Sequence, residues 1–299
     1  MENNSEIALA QKADYSKASG YVKLTKMRLS LLVVFSAVIT YFTVAAEANW
    51  IKVAALAVGG FLVTASANTF NQVIERDLDK LMKRTQNRPI PTNTLTPSEA
   101  LIFAAICGLS GVIVLYLFTN PLSGILSLLS IILYAFAYTP LKRITPFSVF
   151  VGAIPGALPT MIGAIADTPG FGTISLYPVL LYAIQFFWQF PHFWAIAWVS
   201  HDDYQRAGFF MLPSLGGRDQ SSRFQVLIYT LFLLPISMLP FLFGFSGIIS
   251  GIVILVCGTI FFLQAYKLYR DGAIESARKL MFGSFFYLPL VQLALMIGK

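Results

Sequence analysis

The segment WIKVAALAVGGFLVTASANTFNQVIERDLDK, residues 50–80, joins a long apolar run to a cluster of charges. Its apolar part, about 51–74, is long enough to cross a hydrocarbon core of about 30 Å as a helix. Comparable runs predict about nine membrane spans, near 29–46, 51–74, 98–118, 122–139, 147–166, 175–198, 224–243, 247–266 and 280–297. None alternates apolar and polar residues as a membrane barrel strand does. The pattern therefore predicts an all-α, polytopic membrane protein.

The composition supports the same class. Of the 299 residues, 57% are hydrophobic and 12% are charged, and the mean hydropathy is +0.71. A soluble domain carries about twice that share of charged residues. We therefore predict a single domain over residues 1–299, embedded in a lipid bilayer, with a polar tail at 1–22. Because Cys107 and Cys257 lie within apolar spans, neither a disulfide nor a thiolate metal site is expected.

The basic residues predict the orientation of the chain. If the N-terminus is inside, every lysine and arginine except Lys52 and Lys299 falls on the inside face, as the positive-inside rule requires. The net charge of +7 then orients the protein and needs no nucleic-acid partner to explain it. The first 20 or so residues are polar, which argues against a cleaved signal or transit peptide. We expect a bacterial inner membrane and a cytoplasmic N-terminus.

A first polar cluster follows the second span. Asn71, Glu75 and Asp79 are spaced four residues apart, so on a helix their side chains share one face. Two carboxylates and an amide so placed repel one another unless a cation lies between them, and such oxygen ligands suit Mg²⁺ bridged to substrate phosphates. The sequence therefore predicts a magnesium site formed by these three residues.

The simpler alternative is a solvated helix end, in which the acids pair with Arg76, Lys80 and Lys83. Asn68 and Asn71 lie further up the same span, toward lipid depth. Polar side chains at that depth are costly and often functional. Their presence favours the metal site over the solvated end.

A second polar cluster, His201, Asp202 and Asp203, follows the sixth span on the same predicted side. Two carboxylate groups facing one central cavity, open to the cytoplasm, could hold a Mg²⁺ on each side of a diphosphate. Nearby bases would carry the remaining charge of such an anion, and they are Lys83, Arg84, Arg88, Lys142 and Arg143. Membrane orientation alone is the alternative explanation for each base.

These segments resemble a known family, the intramembrane prenyltransferases typified by the 4-hydroxybenzoate polyprenyltransferases, and within it a haem-modifying branch. The matching residues are Asn71, Gln72, Glu75 and Asp79 with RTQNRP (84–89), DDYQRAGFFMLP (202–213), WQFPHFWA (188–195), YTPLKRITPFSVFVGAIPGALPTMIG (138–163) and LTKMRLS (24–30). Gln72 and Glu75 depart from the general family pattern in the form that this branch uses. Phe210 and Met27 each stand where proline is common. The resemblance covers about residues 20–297.

The resemblance implies a reaction. Farnesyl diphosphate would be the donor, haem B the acceptor and haem O the product, with the farnesyl group added at a vinyl carbon and a hydroxyl gained from water. Mg²⁺ would be the cofactor, with Asn71, Glu75 and Asp79 as ligands of one ion and Asp202 and Asp203 as ligands of another. Haem A synthase or oxidase assembly proteins would be partners.

Four residues are candidates for contact with the acceptor. Tyr134 and Tyr138 lie four apart near the end of the fourth span, where aromatic rings would shelter an allylic cation from water. His192 could approach a haem iron or propionate, or be a hydrogen-bonded packing residue. His201 adjoins the acidic pair and could orient a carboxylate or the diphosphate.

Three other functions are compatible with parts of the pattern. The acceptor could be an aromatic quinone precursor. A transporter would place its acids near the bilayer midplane on interrupted helices, whereas these acids lie at span ends. A haem-binding assembly factor without catalysis would leave the diphosphate-binding bases without a ligand.

Overall fold

The computed structural model describes residues 16–299, and over this range every regular element is helical. In chain order the helices are α1 (Lys17–Leu24), α2 (Met27–Val44), α3 (Trp50–Ile74), α4 (Arg76–Asp79), α5 (Pro97–Phe118), α6 (Pro121–Ile132), a π-helical turn (Leu133–Tyr138), α7 (Thr139–Leu141), α8 (Ser148–Ile165), α9 (Leu176–Val199), α10 (His201–Arg206), α11 (Gln220–Leu242), α12 (Ile248–Asp271) and α13 (Ile274–Ile297). The all-α prediction is confirmed.

Nine helical segments coincide with the predicted spans. Within residues 16–299, eight are long and apolar enough to cross a membrane, with α1–α2 and α6–α7 each counted as one. The ninth is α9, whose 24 residues occupy the sixth predicted span. Gln185, Gln189 and His192 place polar side chains within α9. The prediction of about nine spans is therefore confirmed, with ends that differ by several residues.

The helices pack as neighbours in a closed arrangement. α3 packs mainly on α5, α8 on α2 and α9, and α12 on α11 and α13, while α13 returns to α2 and α9. Small residues allow the α3–α5 approach: a Cβ on Gly111 would lie 2.9 Å from the backbone oxygen of Gly59. Close contact between such residues is a common way for helices to associate in lipid. This packing fixes the position of the end of α3, where the first polar cluster begins.

The two ends of the bundle differ. One end carries short connections, where Lys52 pairs with Asp167 at 2.8 Å and Lys299 Nζ donates to the Phe42 and Ala45 oxygens. The opposite end, which we call the motif side, carries the segments 75–96, 142–147 and 200–219. Both polar clusters therefore lie at the same end. Lys12 and the first part of the predicted 1–22 tail lie outside the described residues.

Helix α8 is the most enclosed of the eight spans described above, with 72% of its membrane window buried. Pro155 and Pro159 lie within it, and each removes a backbone donor from the helix. Pro159 leaves the Pro155 oxygen without its intrahelical donor, and Ser130 Oγ of α6 donates to it. Gln185 Nε2 and Gln189 Nε2 of α9 add hydrogen bonds to the Gly156 and Ala153 oxygens. Polar side chains of α6 and α9 therefore stabilise the proline-containing helix.

Candidate active site

The first cluster is built at a helix break. α3 ends at Ile74, Glu75 separates it from the short α4, and Asp79 ends α4. The side chains predicted to share one face are all buried, with exposed fractions of 2% for Asn71, 4% for Glu75 and 0% for Asp79. Asp77 points away into solvent and pairs with Lys80 and Arg76. The solvated-end alternative therefore describes Asp77 and not the three candidate ligands.

Each buried acid of this cluster has a basic partner from a distant segment. Arg88 Nη1 donates to both carboxylate oxygens of Asp79 at 2.8 Å, and Lys142 Nζ forms an ion pair with Glu75. Burial raises the pKa of Asp79, and the Arg88 charge opposes that shift. Burial also lowers the pKa of Lys142, and Glu75 opposes it. The ion pairs therefore stabilise the charged forms of Asp79 and Lys142 at buried positions, where burial alone favours the neutral forms.

The loop after α4 closes over the cluster. Thr85 Oγ1 donates to the backbone oxygen of Asp79 at 2.9 Å. The Lys83 backbone N–H points to Asp203 Oδ1 at 3.4 Å. The Arg84 guanidinium lies over the ring of Tyr204, 4.4 Å from its centroid. Since Asp203 and Tyr204 belong to α10, this loop joins the first cluster to the second.

The acids of the second cluster lie in different environments. The Asp203 side chain is 19% exposed and accepts from Arg206 at 2.7 Å. The Asp202 side chain is 70% exposed and pairs with Arg218 at 3.2 Å. Asp203 is thus the member of the pair that contacts the loop over the first cluster. The predicted second ligand set is divided, with Asp202 turned toward solvent.

His201 packs against a glycine that the backbone requires. Gly217 has a φ of +75°, which favours glycine, and a Cβ there would lie 2.6 Å from the imidazole Cε1. Burial lowers the pKa of His201, helped by the Arg218 charge and opposed by Asp202. His201 therefore belongs to the outer part of the second cluster, beside Asp202.

A basic cavity of about 330 Å³ opens beside the first cluster, lined by Lys23, Lys26, Gln72, Arg84, Asn87, Arg88 and Pro89. Four of these seven residues are basic, so the cavity suits an anion. Lys26 has a left-handed backbone (φ 47°) at the break between α1 and α2. Its Nζ lies 3.5 Å from Asn71 Oδ1. Lys26 and Arg88 therefore border both the cavity and the candidate ligands.

Four cavity residues are not among the predicted site residues: Lys23, Lys26, Gln72 and Asn87. Of these, Gln72 and Asn87 lie in the segments that resemble the family. The sequence assigns the two lysines only an orienting role, although Lys26 lies within the similar segment LTKMRLS. Of the predicted diphosphate-binding bases, Arg84 and Arg88 line the cavity and Lys142 lies behind them on Glu75. Lys83 reaches Asp203 through its backbone, and Arg143 is exposed.

The candidate ligands suit a divalent cation that also binds substrate. Over residues 16–299 no group of three or more His, Cys, Asp or Glu side chains is arranged to hold a metal ion. The first cluster offers two carboxylates and the amide oxygen of Asn71, which are the hard oxygen donors that Mg²⁺ prefers. Mg²⁺ is commonly held by one or two carboxylates together with substrate phosphates. The residues present fit that arrangement rather than an all-protein cage.

The residues predicted to contact the acceptor lie in different parts of the structure. The rings of Tyr134 and Tyr138 lie 5.2 Å apart, and Lys142 Nζ lies 4.9 Å from the Tyr138 centroid. Both tyrosines therefore border the first cluster. His192 is buried between α9 and α13, where its Nδ1 lies 2.7 Å from Ser284 Oγ and its ring stacks on Trp188. These contacts match the packing alternative for His192.

The fold and this pairing of acidic clusters with a basic cavity define an intramembrane prenyltransferase. The model of the UbiA prenyltransferase family matches residues 31–288, and the chain belongs to that family. Among its relatives is the protoheme IX farnesyltransferase of Cytophaga hutchinsonii, 46% identical over 95% of this chain and 99% of the relative. The protoheme IX farnesyltransferase of Christiangramia forsetii is 43% identical over 94% of this chain and 93% of the relative.

Solved structures support the fold. A digeranylgeranylglyceryl phosphate synthase structure matches with a TM-score of 0.78 at 20% identity, over 94% of this chain and 98% of that one. A UbiA homologue from Archaeoglobus fulgidus bound to GPP and Mg²⁺ matches with a TM-score of 0.72 at 15% identity, over 92% of this chain and 99% of that one. The prediction of one domain over residues 1–299 stays a prediction.

Proposed function

We propose that the protein transfers a farnesyl group from farnesyl diphosphate to a vinyl carbon of haem B and so produces haem O. The observation that carries this proposal is the buried set of Asn71, Glu75 and Asp79 beside a basic cavity at one end of a membrane bundle. The two relatives described above support the choice of donor and acceptor through their names. A basic cavity next to paired acids is what an ionising diphosphate requires.

The first step breaks the bond between C1 of the farnesyl group and the diphosphate oxygen, and the diphosphate leaves with the electron pair. Its negative charge grows as the bond breaks, so nearby positive charge stabilises the transition state more than the bound substrate. Arg84, Arg88 and Lys26 line the cavity and would bind the departing oxygens. Lys142 would share this role from its position at Glu75. Lys83 and Arg143 would act from the rim.

A divalent cation, when bound, would supply further positive charge to the diphosphate. Asn71, Glu75 and Asp79 are the residues that would hold it, with Asp203 facing them across the loop. The sequence also assigns Asp202 to this role. Since its carboxylate is exposed and paired with Arg218, Asp203 carries the contribution of the second cluster in this proposal. Mg²⁺ bound to the Archaeoglobus homologue supports the choice of metal for the family.

The second step joins the allylic cation to the acceptor. The π electrons of a haem vinyl group form the new carbon–carbon bond, water then adds to the resulting cation, and one proton is released. The rings of Tyr134 and Tyr138 are placed beside the first cluster, where they would shelter the allylic cation from early capture by water. We retain His192 and His201 as candidate contacts of the acceptor, His192 from within the bundle and His201 from the motif side.

We infer further that the motif side is cytoplasmic and that the protein resides in a bacterial inner membrane. The basic residues of the connections on this side support that orientation. A haem A synthase or an oxidase assembly protein would accept a product as hydrophobic as haem O.

The proposal is tested by incubating the purified protein with haem B, farnesyl diphosphate and Mg²⁺, with and without chelator. A haem product heavier by one farnesyl group plus one hydroxyl group, lost on chelation, is the expected result. A parallel set of aromatic quinone precursors tests the other acceptor class. Prenylation of a quinone precursor with unmodified haem would overturn the acceptor and leave the prenyl transfer intact. Absence of any prenylated product from a folded sample would contradict the enzyme itself.

A further inference from the structure

The π-helical turn Leu133–Tyr138 ends at Thr139, which faces the first cluster. In this turn the Thr139 backbone N–H donates to the Tyr134 oxygen, one residue further back than in an α-helix. The Thr139 hydroxyl donates to the same oxygen at 2.8 Å. Turns of this type are frequent at functional sites, and the enzyme mechanism described above gives Thr139 no part.

The hydroxyl of Thr139 can therefore only accept from its other neighbour. A hydroxyl carries one proton, and that proton is directed to the Tyr134 oxygen. Asn71 lies 3.1 Å from Thr139 Oγ1 and must present its NH₂ end, Nδ2, to it. The amide oxygen of Asn71 is then directed the opposite way.

A second contact supports the same orientation. Lys26 Nζ lies 3.5 Å from Asn71 Oδ1, and a lysine ammonium has donors only. Thr139 on one side, supported by Lys26 on the other, thus selects one orientation of an amide whose ends have nearly the same shape. The amide is 2% exposed and Thr139 is also 2% exposed, so water offers little alternative.

We propose that Thr139 is a positioning residue for the metal-binding amide of Asn71, and that its hydroxyl keeps the amide oxygen directed to the cavity. This inference rests on the proposed role of Asn71 and deepens it. An amide binds Mg²⁺ through oxygen, whereas its NH₂ end repels a cation. Without the acceptor at Thr139, the NH₂ end would be free to turn toward the cavity in a fraction of the molecules.

The proposal predicts a specific loss of metal affinity. Removing a group that orients a ligand typically costs about 10- to 100-fold in metal affinity. We expect Thr139→Val, which keeps the shape and removes the hydroxyl, to weaken metal binding to that extent. Thr139→Ala should do the same without a branched side chain. Thr139→Ser retains the hydroxyl and should stay within a few-fold of the wild type.

The measurement is Mn²⁺ binding followed by electron paramagnetic resonance, with inorganic diphosphate present and with neither haem nor farnesyl diphosphate. Thr160→Val is the matched control, because Thr160 is 0% exposed and its hydroxyl donates to the Ala157 oxygen within its own helix at 2.7 Å. Unfolding temperature without metal verifies that each variant is folded. In an Asn71→Ala background, Thr139→Val should have no further effect, since no amide remains to be oriented.

The outcomes separate this inference from the proposed function. Wild-type affinity in both folded variants, Thr139→Val and Thr139→Ala, would overturn the inference alone. An equal loss in Thr139→Val and Thr160→Val, or an undiminished effect in the Asn71→Ala background, would also overturn it by showing a general packing effect. Weaker Mn²⁺ binding confined to the Thr139→Val and Thr139→Ala variants, in a protein that does not modify haem, would support this inference and contradict the acceptor. A folded wild-type protein that binds no Mn²⁺ would overturn the metal role of Asn71 and this inference together.

Discussion

The two acidic clusters look alike in the sequence and differ in the structure. Glu75 and Asp79 are almost fully buried and paired with Lys142 and Arg88. Asp202 and Asp203 lie on a short helix and pair with arginines that are themselves partly exposed. Breaking a buried ion pair is costly because the remaining charge is neither paired nor solvated. Exposed pairs contribute little to stability. The first cluster is therefore preorganised by the fold, and the second can adjust.

The largest expected effect concerns the buried pair between Lys142 and Glu75. Lys142→Met leaves Glu75 without its partner and should lower the free energy of unfolding by about 3–5 kcal/mol. Denaturant titration in detergent micelles measures this. Arg206→Gln breaks the exposed pair at Asp203 and should cost about 0–1 kcal/mol. Restored stability in a Glu75→Gln, Lys142→Met double variant would confirm the cause, and equal losses in the two single variants would remove the contrast between the clusters.

The next effect concerns turnover. Asp79→Asn preserves the shape of the side chain and removes a charge from the candidate metal site, so turnover should fall about 100- to 1,000-fold. Haem product formed per minute is the measurement. Asp77→Asn is the matched control, since Asp77 lies two residues away and faces solvent. Comparable losses in both variants would mean that the net charge of this end of the bundle, and not the buried site, controls the rate.

A smaller effect should distinguish the two acids of the second cluster. Asp203 contacts the loop over the first cluster and Asp202 does not. We expect Asp203→Asn to lower turnover about 10- to 100-fold, in the range of a lost supporting contact at a metal site. Asp202→Asn should change it by only a few-fold. A larger loss of turnover in Asp202→Asn than in Asp203→Asn would show that Asp202 turns inward when substrates bind. The assignment of the second cluster's contribution to Asp203 would then be wrong.

The smallest effect is a shift in pH dependence at Asp79. Burial raises the pKa of this carboxyl and Arg88 opposes the shift, so Arg88→Met should raise the pKa further. A higher pKa means that the carboxylate forms only at higher pH, and Mn²⁺ binding without diphosphate should therefore begin at higher pH than in the wild type. Above that range the variant should bind Mn²⁺ at least as well, because Arg88 no longer competes. An unchanged pH profile would exclude Asp79 as the titrating ligand.

Much of the architecture could be predicted from sequence, because lipid leaves few choices for a chain of long apolar runs. Even α9, with its glutamines and histidine, lies where the sequence predicts the sixth span. The spacing of Asn71, Glu75 and Asp79 likewise predicted a common face, although the helix breaks at Glu75. These features depend on residues close together in the chain.

The partners of these residues could not be predicted. Lys142 is paired with Glu75, and Lys26 reaches Asn71, across long separations in the chain. No local pattern specifies such contacts, since they depend on how α1, α3 and α7 pack. The π-helical turn could not be predicted either, because LYAFAY (133–138) is equally compatible with an ordinary α-helix. The greater exposure of Asp202 than of Asp203 also follows from tertiary packing alone.

The prolines of α8 have a consequence for how the chain is made. A nascent α8 released alone into lipid would expose the Pro155 oxygen, which Pro159 leaves without an intrahelical donor and Ser130 of α6 satisfies in the folded bundle. An α9 released alone would carry the Gln185 and Gln189 amides without their acceptors on α8. Each of these uncompensated groups is costly in hydrocarbon. We therefore expect α9 to leave the insertion machinery against α8, so that α9 made without α8 would be held at the translocon.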